Sequence, residues 1–363
     1  MKRTRHIIYN CPFYSSFILR DIEILSETYC VTPHKFDTGK KWLVPYQFVK
    51  QFLFLTIKIW SADVVICHFA GYASFLPALF CKFTHTPCFI IVAGNDGSKF
   101  PDFNYGNYTK KLLGFFTGKS LQLATHILPV HESLYFQDYN YYDKGKPAQG
   151  YSYFFPKAKN TPHTAIYYGY DSGFFKYDID AKKKKNSFIT IGGLNDNYAF
   201  KRKGFDLIIE LAKTRPDLNF TLVGWDGIRK IDVPDNVNLL RFMSQKEVVE
   251  ALCQHEYYFQ LSIMEGFPNA LAEAMLCGCI PIGSNVSGIP FIIGNTGYIL
   301  HKRDVNELNN LVDIAIADGR KQTLPQLARK RIIDNFSYGH RKAAFDKVID
   351  NYCNIVNRPN QSD

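Results

Sequence analysis

Residues 261–290 read LSIMEGFPNALAEAMLCGCIPIGSNVSGIP. An apolar run ends near Ser262, a Glu-Gly turn follows, and Pro268 stands where a helix over 270–277 is expected to begin. Proline at the first helical position gives up only an N–H that has no intrahelical partner. A second apolar run, 279–283, leads into Ser287-Gly288-Ile289-Pro290. Strand, glycine turn, helix and strand in this order make a βα unit, whose strands pair in parallel. The turn leaves the N–H groups of Gly266 and Phe267 around a helix N-terminus, a natural place for a diphosphate. Glu265 lies before the helix and Glu273 inside it. Carboxylates there can accept hydrogen bonds from sugar hydroxyls, as acidic residues do for ribose in nucleotide sites. The plainer reading is that Glu273 only complements the helix dipole.

The same alternation runs through the chain. Strands are expected over 6–10, 29–32, 64–68, 88–92, 126–130 and 165–168, and again over 188–191, 219–223, 237–240, 257–261 and 279–283. Helical patterns at 205–214 and 270–277 lie between strands of the second series, and a third at 306–317 follows it. Two such series predict an α/β protein of two doubly wound, Rossmann-like domains, and 363 residues is a length for two domains. The break falls at 177–186, YDIDAKKKKN, which has no apolar period and reads as a linker. The expected domains are 1–176 and 187–336, with a final helix in 337–363.

Composition narrows the class. Hydrophobic residues make up 46% of the chain and charged residues 21%, which excludes a disordered protein. Nine scattered cysteines form no CxxC pair, which fits a reducing cytoplasm better than a disulfide framework or a metal site. The basic start MKRTRHIIYN runs straight into a short strand and is not read as a secretion signal. Residues 64–81 are uncharged for the length of a membrane span, but His68, Gly71, Ser74 and Pro77 break them into strand, loop and helix. Net charge is +10, with 18 Lys/Arg against 11 Asp/Glu in residues 1–172 and 25 against 22 beyond. A basic first half suits an anionic partner, or simply solubility.

The motifs of the second half resemble those of retaining glycosyltransferases of family four, which have the GT-B fold. The resemblance rests on Ser262, the Glu265/Glu273 pair, Gly278 and Ser287-Gly288-Ile289-Pro290. It extends through Ile191-Gly192-Gly193-Leu194, Lys203-Gly204-Phe205-Asp206 and Leu222-Val223-Gly224. Tyr168-Gly169-Tyr170-Asp171 and Gly94-Asn95-Asp96-Gly97 followed by Tyr105-Gly106 match more loosely. What the resemblance implies is specific. The C-terminal helix returns to the first domain, and a nucleotide-diphosphate sugar (UDP or GDP) sits in the cleft between the domains. Lys203 pairs with the diphosphate, Glu265 sits near the transferred sugar and Glu273 holds the ribose. Gly193, Arg202, Gly224, Gly266, Phe267, Pro268, Asn269, Ser287 and Gly288 line the donor. Asp96 joins Lys203 and Glu265 as a catalytic candidate, with Tyr105 on the acceptor side. His68, which ends an apolar run, is read from its own position as either an acceptor-side residue facing the cleft or a structural histidine. No metal and no other cofactor is expected.

Departures from the family pattern bear on the acceptor side. The arginine expected after the first strand of the second domain is absent, with Gly193 in its place, and Arg202 or Lys201 is the nearest substitute. Gly94 stands where a histidine is expected before Asp96, and residues 11–16, CPFYSS, replace a Gly-Gly turn. Asp178-Ile179-Asp180 spells a metal-binding D-x-D, but beside four lysines and with no strand before it the match is read as coincidence. Nine aromatic residues within 135–155 suit either sugar faces or ordinary packing. Residues 42–60, WLVPYQFVKQFLFLTIKIW, have the composition of an interfacial helix.

The expected function is transfer of a sugar to a glycan or lipid-linked acceptor with retention of configuration, in polysaccharide or lipopolysaccharide synthesis. The expected location is cytoplasmic, with the basic first half peripheral on an anionic inner leaflet. The alternatives are a sugar-nucleotide epimerase on the same fold, which needs no acceptor, and an inert glycosyltransferase-like subunit. A nucleic-acid binder is suggested by charge alone, without a recognition motif.

Overall fold

The computed structural model describes residues 4–142, 148–178, 182–193, 196–228 and 230–356. VVICH and CFIIV, almost wholly apolar, are buried at every position as Val64–His68 and Cys88–Val92. Such runs suit a parallel sheet covered on both faces. They are the third and fourth of five parallel strands: β1 (His6–Cys11), β2 (Cys30–Lys35), β3 (Val64–His68), β4 (Cys88–Val92) and β5 (His126–Pro129), in the order β2-β1-β3-β4-β5. Parallel pairing needs crossovers, and helices α1 (Ser16–Ser26), α2 (Val44–Lys58), α3 (Tyr72–Thr84) and α4 (Lys111–Leu123) supply them. After β5 come a two-residue antiparallel pair, β6 (Gln137–Asp138) and β7 (Ala148–Gln149), and the single turn α5 (Tyr151–Phe154).

The second sheet is also parallel. It holds β8 (Lys184–Ile191), β9 (Asn219–Trp225), β10 (Val237–Arg241), β11 (His255–Gln260), β12 (Ile280–Ser284) and β13 (Tyr298–Leu300), in the order β10-β9-β8-β11-β12-β13. Its helices are α6 (Asn197–Arg202), α7 (Phe205–Thr214), α8 (Gln245–Cys253), α9 (Asn269–Leu276), α10 (Ile289–Ile293), α11 (Val305–Ala317) and α12 (Leu324–Asn335). Helix α8 starts on a capping box, in which Ser244 Oγ accepts from the Glu247 N–H and the Glu247 carboxylate from the Ser244 N–H. Phe188, Phe220 and Phe259 from adjacent strands stack at 4.9–6.4 Å in its core.

The strand order reverses between β1 and β3 in one sheet and between β8 and β11 in the other. In open α/β sheets these switch points, at the strands' carboxyl ends, are where ligands bind.

Helix α13 (Tyr338–Val356) returns to the first sheet. Arg341 is buried there, paired with both oxygens of Asp21 on α1, and donates to the carbonyls of Ile166 and Tyr167 at 3.0 and 2.9 Å. Tyr29 Oη donates to Asp346 at 2.8 Å.

Some local expectations change. Residues 165–168 are not a strand: Ile166 N–H bonds to the Pro129 carbonyl at 2.9 Å, but no ladder forms. The edge strand β13, three residues long, had no apolar run to announce it. Strand β8 begins at Lys184, inside the segment read as linker. Lys183 there donates to the carbonyls of His255, Cys277 and Gly278 at 2.8–3.0 Å, so it closes the C-terminal end of α9. Pro268 is the residue before α9, whose first turn starts at Asn269. Ile179 and Asp180 of the D-x-D match, and Leu194, lie outside the described residues. No helix among the described residues is long and apolar enough to cross a membrane.

Candidate active site

The second switch point assembles the residues singled out in the sequence. Helix α6 ends at Arg202, and Gly204, at φ +79°, turns the chain into α7. A side chain at Gly204 would strike the Leu261 carbonyl at 2.5 Å, so the turn lies flush against the end of β11. The Ile263 N–H donates to the Arg202 carbonyl at 2.8 Å and fixes the two loops together. This apposition brings Lys203 to Glu265. The Lys203 ammonium donates to Glu265 Oε1, which also accepts from Ser262 Oγ at 2.7 Å and Gln260 Nε2 at 3.3 Å. Burial pushes the Glu265 carboxyl up, but the Lys203 and Arg202 charges and the hydrogen bonds from Lys203 and Ser262 outweigh it and hold it below its usual value.

Glu273 contrasts with it. It is half-buried on the second turn of α9, with no hydrogen-bond partner among the described residues, and burial pushes its pKa up to about 7. The two carboxylates are therefore held differently, one ionised against two cations and one without a charge partner. Asn269 Oδ1 accepts from Tyr170 Oη at 2.9 Å, which seats the start of α9 on the chain leaving the first domain. Neither the Gly266 nor the Phe267 N–H has a protein acceptor among the described residues, so both remain for an anion.

Gly224 closes against the Gly192 carbonyl at the end of β9, with Gly193 beside it, and the stem of Lys203 passes over Gly192. The guanidinium of Arg202 lies 4.4 Å from the ring centre of Tyr105, a cation–π contact across the cleft. Arg202 thus brings a positive charge to the Glu265 neighbourhood, where the arginine missing after β8 left a gap.

The first domain closes over this site. A methyl group on Gly266 would stand 2.3 Å from the Ala93 carbonyl. Phe267 stacks on Tyr167 at 5.4 Å, and Tyr139 Oη donates to the Ile263 carbonyl at 2.8 Å. Two contributors were not foreseen. Gln137 accepts from the Ser287 N–H at 3.1 Å, so that N–H, expected to face phosphate, is engaged by a side-chain amide. His131 packs on Phe267 and Phe291 beside Gly288, and burial lowers its pKa to about 4. Its place just past the end of β5 was the available signal, since strand ends carry sites in such sheets.

Two expected first-domain residues take other parts. His68 does not open to the cleft: it is fully buried, with Nδ1 2.7 Å from Tyr9 Oη and Nε2 3.1 Å from Tyr168 Oη. Burial lowers its pKa to about 3, so it is a neutral core histidine. Asp96 is fully buried and accepts from the N–H groups of Ala70, Ala93 and Gly94, all at 3.0 Å. It therefore ties the loop after β3 to the loop after β4. Burial raises its pKa to about 6 against the opposing pull of those hydrogen bonds. In the aromatic run 135–155, Tyr139, Tyr141 and Tyr151 are buried, which favours packing.

The sequence pattern of the glycosyl transferases group 1 family matches residues 175–334, which hold Lys203, Glu265, Glu273 and Ser287. The match takes in somewhat less than half of the chain, the part that forms the second sheet and its helices. It is 33% identical over 164 residues to a human phosphatidylinositol N-acetylglucosaminyltransferase subunit, covering 41% of this chain and 34% of that protein. It thus spans about a third of the length of that curated relative. Sucrose-phosphate synthase from Thermosynechococcus elongatus superposes over 96% of this chain and 99% of that one, with a TM-score of 0.71 and 13% identity. Anabaena HepE in complex with UDP and glucose superposes over 96% and 100%, with a TM-score of 0.67 and 14% identity. The fold of the chain is GT-B, two Rossmann-like domains facing a cleft.

Proposed function

We propose that the chain transfers an N-acetylglucosaminyl-type sugar from a nucleoside-diphosphate donor, UDP in the first instance, to a lipid-linked or glycan acceptor with retention of configuration. The carrying observation is the Lys203–Glu265 pair beside the unpartnered N–H groups of Gly266 and Phe267. Lys203, Arg202 and those N–H groups stabilise negative charge as the diphosphate leaves, a task for which one fixed donor contributes roughly 3–4 kcal/mol. Glu265, kept ionised, faces the positive charge that develops at the anomeric carbon. Glu273 accepts from donor hydroxyls. In this reading the leaving phosphate oxygen takes the acceptor proton, and no metal is required. The name of the human relative supports the sugar and a lipid acceptor, and the UDP bound by HepE supports the donor base. Neither the epimerase reading nor that of an inert subunit gains anything from these relatives.

The setting of the acceptor is the surface of an anionic membrane. Helix α2 supports this through an inverted polarity. It turns Gln47, Gln51 and Leu55 inward, and Gln51 Nε2 donates to Asn10 Oδ1 and the Ala73 carbonyl, both at 2.9 Å. Tyr46, Val49, Leu53 and Ile57 face solvent, flanked by Trp42 at 74% and Trp60 at 77% exposure. A water-facing helix ordinarily buries that set, and an apolar stripe of this kind marks an interaction surface.

The test is product analysis. Labelled UDP-N-acetylglucosamine, with a lipid extract as acceptor, should yield UDP and an α-linked product, unchanged by a chelator. Conversion of the donor with no acceptor present would support the epimerase instead, and loss of activity with chelator would remove the metal-free part.

A further inference from the structure

The other switch point, between β1 and β3, is occupied by nothing so far described. A cavity of about 1020 Å³ opens there, among the largest that small-molecule sites reach. Pro12 and Phe13 after β1 and Phe69 to Gly71 after β3 form one end, and α2, α3 and α4 form the walls through Phe48, Tyr72 and Phe116. The walls are apolar, yet Asn95, Asp96 and Asn107 line it and Lys110 stands at its edge. Lys110 is exposed and has no acidic partner among the described residues.

Two relationships say what fits. At one end the lining passes through Val44, Pro45 and Phe48 into α2, whose outer face is the exposed apolar stripe. At the other, Asp96 holds the loop of Ala93 and Gly94, and the Ala93 carbonyl lies against Gly266, next to Glu265. The cavity thus runs from an apolar surface to within one loop of the transfer site. We propose that it holds the hydrocarbon chain of an anionic single-chain amphiphile, with the anionic head at Lys110 and the head hydroxyls toward Asn95. This rests on the transferase reading and deepens it: the acceptor's chain lies along the cavity from the apolar surface, and its head points to the cleft.

The experiment uses the full chain without vesicles, so that membrane binding does not enter. Dansyl-undecanoic acid, kept below its micelle concentration, is the chain probe, and dansylglycine is the chainless control. The long probe should bind with enhanced, blue-shifted emission and dansylglycine should not. Phe116→Trp and the rim variant Leu112→Trp, which fill the cavity, should each weaken binding about tenfold, and Lys110→Glu about threefold. Trp60→Ser, on the outer stripe, should leave probe affinity unchanged. Equal affinity of the two probes, or full affinity in both filled variants with native circular dichroism, overturns the proposal. Thermal stabilisation by UDP-N-acetylglucosamine, measured on the same samples, separates the two readings. Stabilisation without chain binding removes the cavity proposal alone, and chain binding without stabilisation removes the donor assignment.

Discussion

Lys203 and Glu265, 62 residues apart in sequence, meet as an ion pair because the turn at Gly204 lies against the end of β11. The pair sits at the strand-order reversal of the second sheet, with Arg202 adding a second positive charge nearby. Its two members take opposite parts in the proposed reaction, and the predictions begin there.

Lys203→Ala should lower kcat on the order of 100-fold with little change in folding, since in the proposed reaction the charge acts on the leaving phosphate. Glu265→Gln should do comparable damage, since it removes a charge that two cations keep ionised. Circular dichroism and initial rates decide it, and near wild-type turnover in either variant counts against the pair.

Glu273 should give both stability and donor affinity a pH signature. Its folded pKa, about 7, lies above the ordinary 4.5, so its contribution is fully present below about pH 4.5 and lost as pH rises through 7. Glu273→Gln should therefore flatten stability over that window and stabilise the unliganded protein at pH 8, by on the order of 1–3 kcal/mol. The same variant should weaken donor binding above pH 7, where the wild-type carboxylate is ionised. Urea melts and titrations at pH 5 and 8 measure both, and identical slopes for the two proteins would show that Glu273 is not the titrating group.

The buried pair of Arg341 and Asp21 should be the lock that holds α13 on the first domain. Replacing one partner leaves the other charged and buried, which typically costs about 3–5 kcal/mol. Asp21→Asn should show this loss in chemical denaturation. A loss below about 1 kcal/mol, the range of exposed pairs, would place the hold of α13 elsewhere.

Vesicle co-sedimentation should follow charge and the exposed stripe. Binding should require anionic lipid and weaken with salt. It should also fall when Lys50 and Lys58 are changed to Glu, each basic residue near the surface contributing about 1 kcal/mol. Equal recovery in the supernatant with neutral and anionic vesicles would end the membrane part.

Much of this was legible in the residues, for identifiable reasons. The bounds of β3, β4 and α7 coincide with their apolar runs, because buried parallel strands and a strongly amphipathic helix leave little choice of boundary. Glu265 could be singled out because it sits at a glycine turn between a strand and a helix, whereas Lys203 could be named only through the resemblance to a known family. His68 could not be placed: both faces of a parallel sheet are covered, so strand periodicity does not separate a cleft histidine from a core one. Gln137 meets Ser287 across 150 residues, and Arg341 meets Asp21 across 320, contacts that exist only in the folded chain. Nor did the composition of α2 say that its glutamines would face inward, which depends on Asn10 and the Ala73 carbonyl waiting there.

The most direct test of the central claim, that the cleft takes a nucleoside-diphosphate sugar on Lys203 and the α9 turn, is thermal denaturation with a panel of sugar nucleotides. At a hundred times its Kd a ligand adds about 2.7 kcal/mol, a shift of several degrees for domains of this size. Wild type should show such a shift with at least one uridine-diphosphate sugar, strongly reduced in Lys203→Ala. An unchanged melting temperature across the whole panel, or the same shift in both proteins, would contradict it.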